Sequence, residues 1–206
     1  SRAGKPGGAV NRMDAVILWF RNDLRVADNP ALMHAVERGC RILPLFILEP
    51  DTQDWAPGAA SRWWLHHSLS KLQRRLAKLG AELVIRRGEP AQILAELGAR
   101  HGISEVYWNR RYEPQHSTRD SELKTALIDA GLSVRSFPGN LLLEPWQLLK
   151  GDGGPYRVFT PFWKSLQRTL AESTPLPAPE RIAGFDAPID SLKLDLSEMP
   201  EHKDRI

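Results

Sequence analysis

The chain has 206 residues, with 28 Lys and Arg against 25 Asp and Glu, a net charge of +3 and an isoelectric point near 9.2. That length suits one α/β domain with a tail, and the small positive charge permits a nucleic-acid partner without requiring one, since a solvated surface of mixed sign explains it as well. No apolar run is long enough to span a bilayer, so no membrane partner is expected, and the single Cys40 excludes an internal disulfide and fits a reducing, cytoplasmic compartment.

Residues 1–12 are small, basic and Gly/Pro-bearing, without the apolar centre of a signal peptide. They read as a disordered extension or a cloning remnant, with Met13 as the natural start. Ala15–Phe20 (AVILWF) is an unbroken apolar run, the pattern of a strand buried on both faces. A charged stretch follows (Arg21, Asn22, Asp23, Arg25, Asp28), then a helix start with Asn29 as cap and Pro30 in the first helical position. That helix ends at Gly39, and Cys40 heads the next strand as a small core residue.

Arg41–Glu49 is a second buried strand, and Pro50–Ala60 a loop. Ser61 is placed as the cap of a long helix whose apolar stripe is Trp64, Leu65, Leu69, Leu72, Leu76 and Leu79, with His66, His67, Arg74 and Arg75 on a basic outer face and Gly80 as the stop. Ala81–Arg86 is a third strand, Ala91–His101 a helix ended by Gly102, and Glu105–Asn109 a fourth strand. Ser117 is placed as the cap of a helix to Ala130, and Leu132–Phe137 is the fifth strand. Alternation of this kind implies a Rossmann-like, doubly wound, five-stranded parallel sheet of order 3-2-1-4-5 with helices on both faces.

Beyond it, Asn140–Lys150 reads as an apolar loop, Tyr156–Phe162 as extended, and a helix starts at Thr160 and Pro161 and runs to about Leu170. Residues 173–206, rich in proline, read as a linker toward a domain not included in this chain.

Ligands of open parallel sheets sit outside the carboxyl ends of the strands, at the switch in strand order. The candidate residues are therefore Arg21, Asn22, Arg25, Asp28, Phe46, Arg62, Arg111, Tyr112 and Glu113. The competing reading is that Arg21 with Asp23, and Arg25 with Asp28, simply pair to hold a loop. No glycine-rich dinucleotide or P-loop fingerprint is present, no Cys/His cluster has metal-ligand spacing, and no serine occupies a nucleophile elbow. The seven tryptophans, Trp19, Trp55, Trp63, Trp64, Trp108, Trp146 and Trp163, read first as packing residues and second as stacking surfaces.

Several motifs agree in order and spacing from Ala15 to Leu170. Trp19–Leu32 (WFRNDLRVADNPAL), Leu45–Pro50 (LFILEP), the Arg62-bearing helix start, Val106–Pro114 (VYWNRRYEP) with Arg119-Asp120, and Tyr156–Lys164 (YRVFTPFWK) together resemble the DNA photolyase/cryptochrome family. The resemblance is nearest to microbial photolyases that repair cyclobutane pyrimidine dimers. It implies an amino-terminal α/β domain, residues 13–172, able to hold a light-harvesting antenna, and a helical domain beyond this chain that binds FAD and damaged DNA. In the intact protein a carbon–carbon lyase reaction is then driven by light through FAD, whereas this chain by itself carries no catalytic residue.

The same resemblance supplies antenna candidates. Folate-binding members carry an Asn-Glu pair where Gln115 and His116 stand here. Deazaflavin-binding members carry acidic groups after the fourth strand and an arginine at the helix start, matched by Glu113 and Arg62, with Arg111 in place of one acid. Phe46, Ile47 and Leu48 would supply apolar walls. A deazaflavin, a folate, another flavin, or an empty pocket all stay open. A cryptochrome photoreceptor and a stand-alone nucleotide-binding module are the alternative functions. The face expected to meet the helical domain, with Trp146, Phe159, Phe162 and Trp163, is expected to drive self-association of the chain.

Overall fold

Five parallel strands lie in the order β3-β2-β1-β4-β5, as the alternation of elements implies. The computed structural model describes residues 14–49, 59–139, 141, 143–144, 147–170 and 174–194. The expected extension over 1–12 and the positions of Trp55 and Trp146 lie outside these residues.

β1 (Ala15–Phe20) is the central strand, pairing β2 (Arg41–Leu48) on one side and β4 (Glu105–Asn109) on the other. β3 (Val84–Arg87) and β5 (Ser133–Phe137) form the edges. Because successive side chains alternate in direction, Val16, Leu18 and Phe20 enter one apolar layer while Ile17 and Trp19 enter the other. α1 (Pro30–Glu37) and α2 (Ala59–Leu79) cover the first layer through Ala31, Leu32, Leu69, Leu72 and Leu76. α3 (Pro90–His101) and α4 (Pro114–Asp129) cover the second through Ile93, Leu94, Leu97, Leu123 and Leu127. Trp19 and Trp108 meet edge to face in that layer, with ring centroids 5.6 Å apart, so both are core residues. Cys40 is buried as well, and burial pushes its thiol above the ordinary value.

Several boundaries differ from the sequence reading. α2 starts at Ala59, which puts Ser61 inside the first turn rather than at the cap. α4 starts at Pro114, not after Ser117: Pro114 has no N–H to leave unsatisfied and enters directly behind Glu113. Trp64, assigned to the buried stripe of α2, is 65% exposed, and His66, assigned to the outer face, is 5% exposed. The true stripe drops one residue at the helix start, running Leu65, Leu69, Leu72, Leu76, Leu79. α5 (Phe159–Leu170) begins at Phe159, so the expected extended segment turns helical before Phe162.

β3 starts at Val84 rather than Ala81, and the reason lies far along the chain. β3 pairs only with Leu45–Leu48, which leaves the β2 edge uncovered at Ile42. Residues 183–185 fill that place: Ile42 N–H donates to the Ala183 carbonyl at 2.8 Å, and Phe185 N–H donates to the Ile42 carbonyl at 2.9 Å. Further on, Leu192 N–H donates to the Ile85 carbonyl at 2.8 Å, covering the outer edge of β3. Gly184 passes so close to Gly80 that a Cβ on it would sit 2.3 Å from the Gly80 carbonyl oxygen. The proline-rich stretch is thus laid on the domain over 174–194, with Ile182 buried in the first apolar layer.

Candidate functional site

The loop leaving β1 is fixed by one side chain from β4. Asn109, 4% exposed, accepts from the Ala31 N–H at 3.1 Å and donates through Nδ2 to Asp23 Oδ2 at 2.5 Å and Asn29 Oδ1 at 2.8 Å. Asn29 in turn caps α1 by accepting the Leu32 N–H at 3.1 Å, and Asp23 Oδ1 accepts the Arg21 N–H at 3.1 Å. The stretch Arg21–Asn29 therefore folds as one hydrogen-bonded unit over the carboxyl ends of β1 and β4.

Arg21 is sent inward by this arrangement. Its side chain is 3% exposed and donates through Nη1 to both oxygens of Asp120, at 2.7 and 2.6 Å, and through Nη2 to the Asn109 carbonyl. The guanidinium lies over the Trp19 ring, 5.0 Å from its centroid. Burial lowers the Arg21 pKa from its ordinary value, and the Asp120 charge opposes that shift. Arg111 Nη2 reaches the same carboxylate at 2.6 Å, and Glu49 is held by Arg119 at 2.6 Å. The Arg21–Asp23 ion pair of the competing reading is thus not formed: Asp23 accepts the backbone N–H of Arg21 and the Nδ2 of Asn109, and the partner of the Arg21 side chain comes from α4. Arg25 and Asp28 do pair, at 3.4 Å.

Beside this network, the ends of β1, β2 and β3 and the first turns of α2 enclose a cavity of about 810 Å³. Its apolar walls are Phe46, Ile47, Leu48, Leu24, Leu65 and Trp64. Its polar groups include Arg21, Asn22, Glu49, Arg62, Ser68, Arg87 and Arg111. Of the antenna candidates, Phe46, Ile47, Leu48, Arg62 and Arg111 come together here. Glu113 and His116 do not line the cavity: Glu113 is exposed at the start of α4, where its carbonyl accepts the His116 N–H at 2.9 Å. Tyr112 points elsewhere, donating its hydroxyl to Glu144. The Gln115 side chain lies outside the described residues. Arg25 and Asp28 are also outside the cavity.

Sequence reasoning missed Trp64, Glu49 and Arg87 as lining residues. Glu49 and Arg87 had a readable signal, since each is a charged residue at the carboxyl end of a strand. Trp64 had a weaker one, being an aromatic in the second turn of the helix that follows β2.

The model of the DNA photolyase family matches residues 16–180. This chain belongs to the DNA photolyase family. It is 46% identical over 167 residues to a deoxyribodipyrimidine photo-lyase of Agrobacterium fabrum, covering 81% of this chain and 34% of that protein. It is 36% identical over 178 residues to cryptochrome-2 of Arabidopsis thaliana, covering 85% of this chain and 29% of that protein. Its fold superposes on the crystal structure of a bacterial class III photolyase from Agrobacterium tumefaciens with a TM-score of 0.81 at 41% identity, over 97% of this chain and 41% of that one. The photolyase-family chain therefore spans about a third of the length of the curated relatives it matches.

The cavity of this photolyase-family domain has the size of a small-molecule site, about 810 Å³, and is lined by apolar and polar residues in equal number. Among the described residues no group of three or more His, Cys, Asp or Glu could hold a metal ion, and no helix is long and apolar enough to cross a membrane.

Proposed function

We propose that this chain is the antenna-type α/β domain of a deoxyribodipyrimidine photolyase, residues 13–172, followed over 173–206 by the segment leading to the helical domain. In that reading the intact protein binds FAD and damaged DNA through the helical part and splits cyclobutane pyrimidine dimers with light. The observation that carries the domain's own role is the cavity between β1, β2 and α2. An antenna chromophore bound there, a deazaflavin, a folate or another flavin, supplies light absorption and passes the energy on.

The residues of the chain bind and orient such a group. Phe46, Ile47 and Leu48 would exclude water from its faces, and Trp64, 65% exposed, stands at the rim. Arg62 and Arg111, which line the cavity, would meet its oxygen acceptors, with Arg111 fixed in direction by Asp120. Glu113 and His116 are then secondary, able to act only on an atom that projects beyond the cavity toward α4. A reducing cytoplasm suits the single buried Cys40.

Repair by the full-length protein tests the enzymatic part. Light should restore intact thymines in an oligonucleotide that carries a cyclobutane dimer. Light-dependent flavin chemistry with the dimer left intact would favour a cryptochrome photoreceptor, the reading suggested by the 36% identity to cryptochrome-2.

α5 bears on partners. Val158, Phe159 and Trp163 are 64%, 70% and 44% exposed, and the Phe159 and Trp163 rings stack at 5.9 Å without any residue of α5 being buried. In the intact protein this face is proposed to meet the helical domain, and in the isolated chain a second copy. Sedimentation is expected to show a concentration-dependent dimer that Phe159→Asp converts to monomer. A monomer at every concentration would rule the contact out.

A further inference from the structure

We propose that the outer face of α2 is a sequence-independent contact for the phosphate backbone of nucleic acid. The inference stands apart from the chromophore reading and survives an empty cavity. Over its 21 residues α2 carries five Lys or Arg and no Asp or Glu. At 100° per residue, Trp64, His67, Lys71, Arg74, Arg75 and Lys78 fall on one stripe, opposite the buried Leu69, Leu72 and Leu76. The stripe is about 21 Å long at 1.5 Å per residue.

Its cations are held for no internal purpose. Lys71, Arg74, Arg75 and Lys78 are all exposed, and among the described residues none of them has an ion pair; Arg74 only bonds the Ser70 carbonyl of its own helix, at 3.2 Å. Elsewhere on the domain Arg38, Arg86 and Arg119 each sit against a carboxylate. A row of unpaired cations at i, i+3, i+4 and i+7 is costly to a helix through like-charge repulsion. It complements a linear polyanion: about 21 Å covers roughly six phosphates of one strand. At the amino-terminal end of the row stand Trp64, 65% exposed, and Trp63, 41% exposed, which offer rings to unpaired bases. An acidic bilayer is the poorer partner, because the apolar side of α2 is already spent on the core and cannot insert.

The test is fluorescence anisotropy of the 206-residue chain with a labelled, undamaged single-stranded oligonucleotide. Neutralising four phosphates predicts a slope of log K against log salt of about −3, roughly a 50-fold loss from 50 to 200 mM. The variant Lys71→Gln/Arg74→Gln/Arg75→Gln/Lys78→Gln is expected to bind at least about tenfold more weakly with a slope near zero. A control of equal charge, Lys124→Gln/Arg157→Gln/Lys164→Gln/Arg168→Gln, is expected to bind like the unaltered chain. Circular dichroism checks that each variant is folded. Equal loss in both variants would reduce the effect to net charge and overturn the proposal, as would absence of saturable binding by the unaltered chain. Tighter binding to phosphatidylserine vesicles than to the oligonucleotide, lost in the first variant, would overturn the choice of partner.

Discussion

Asp120→Ala is expected to destabilise the domain by about 3–5 kcal/mol, the usual result of stripping one partner from a buried ion pair. Asp120 is the counter-charge for two arginines whose side chains are 3% and 8% exposed. Without it, Arg21 keeps the Asn109 carbonyl as a partner and Arg111 keeps Glu49 at 3.9 Å, while the two guanidinium groups repel each other in a site that already lowers the Arg21 pKa. The melting temperature is expected to fall by roughly 6–20 °C for a domain of this size. Removing all three charges, as Arg21→Met/Asp120→Leu/Arg111→Met, is expected to recover most of the loss, because the penalty comes from leaving charge buried and unpaired. A loss below about 1 kcal/mol in the single variant, the range of exposed pairs, would mean that Arg21 and Asp120 are not buried together.

Asn109→Leu is the second large effect, at about 3 kcal/mol. The substitution conserves approximate size and removes three hydrogen bonds at once. It leaves the Ala31 N–H and one oxygen of Asp23 without their partner inside the protein, and Asn29 Oδ1 with only the Leu32 N–H, while Asn29 Nδ2 still donates to the Arg25 carbonyl. Asn109→Asp is expected to be no better, because an acceptor would then face the Asp23 carboxylate where Nδ2 had donated. Denaturant midpoints measure both variants. Near-native midpoints would show that the loop after β1 is held by something other than Asn109. The same variants are expected to weaken ligand binding in the cavity, since Arg21 and Asn22 line it from that loop.

The parts of this fold legible in the sequence were those dictated by local burial. β1, β2 and β4 are buried on both faces, so their apolar runs are continuous and their positions could be read within a residue. Positions set by distant contacts could not. The start of β3 depends on residues 183–185 occupying the β2 edge, and Arg21 chooses Asp120, 99 positions away, over the nearer Asp23. Ser61 and Ser117 drew the helix starts inward because a serine makes a good cap. In α4 the proline rule, which correctly placed Pro30 in α1, applied equally to Pro114.

The candidate site was half legible. The strand-end rule found Phe46, Arg62 and Arg111, and the family resemblance added Ile47 and Leu48. Glu113 came from the strand-end rule and the resemblance, and Gln115 and His116 from the resemblance alone; the chain enters α4 at Pro114, and neither Glu113 nor His116 lines the cavity. Trp64 was taken for core with Leu65, but adjacent helix positions lie 100° apart, and with Leu65, Leu69, Leu72 and Leu76 facing the core Trp64 is left 65% exposed.

The most direct test of the account is the absorption spectrum of the purified chain, recorded before and after acid release of any small molecule. A near-ultraviolet or blue band is expected, carried by a releasable folate, deazaflavin or flavin and diminished in Phe46→Ala and Arg62→Ala. A spectrum of protein alone, unchanged after incubation with each of those three compounds, would contradict the assignment of the cavity as an antenna site.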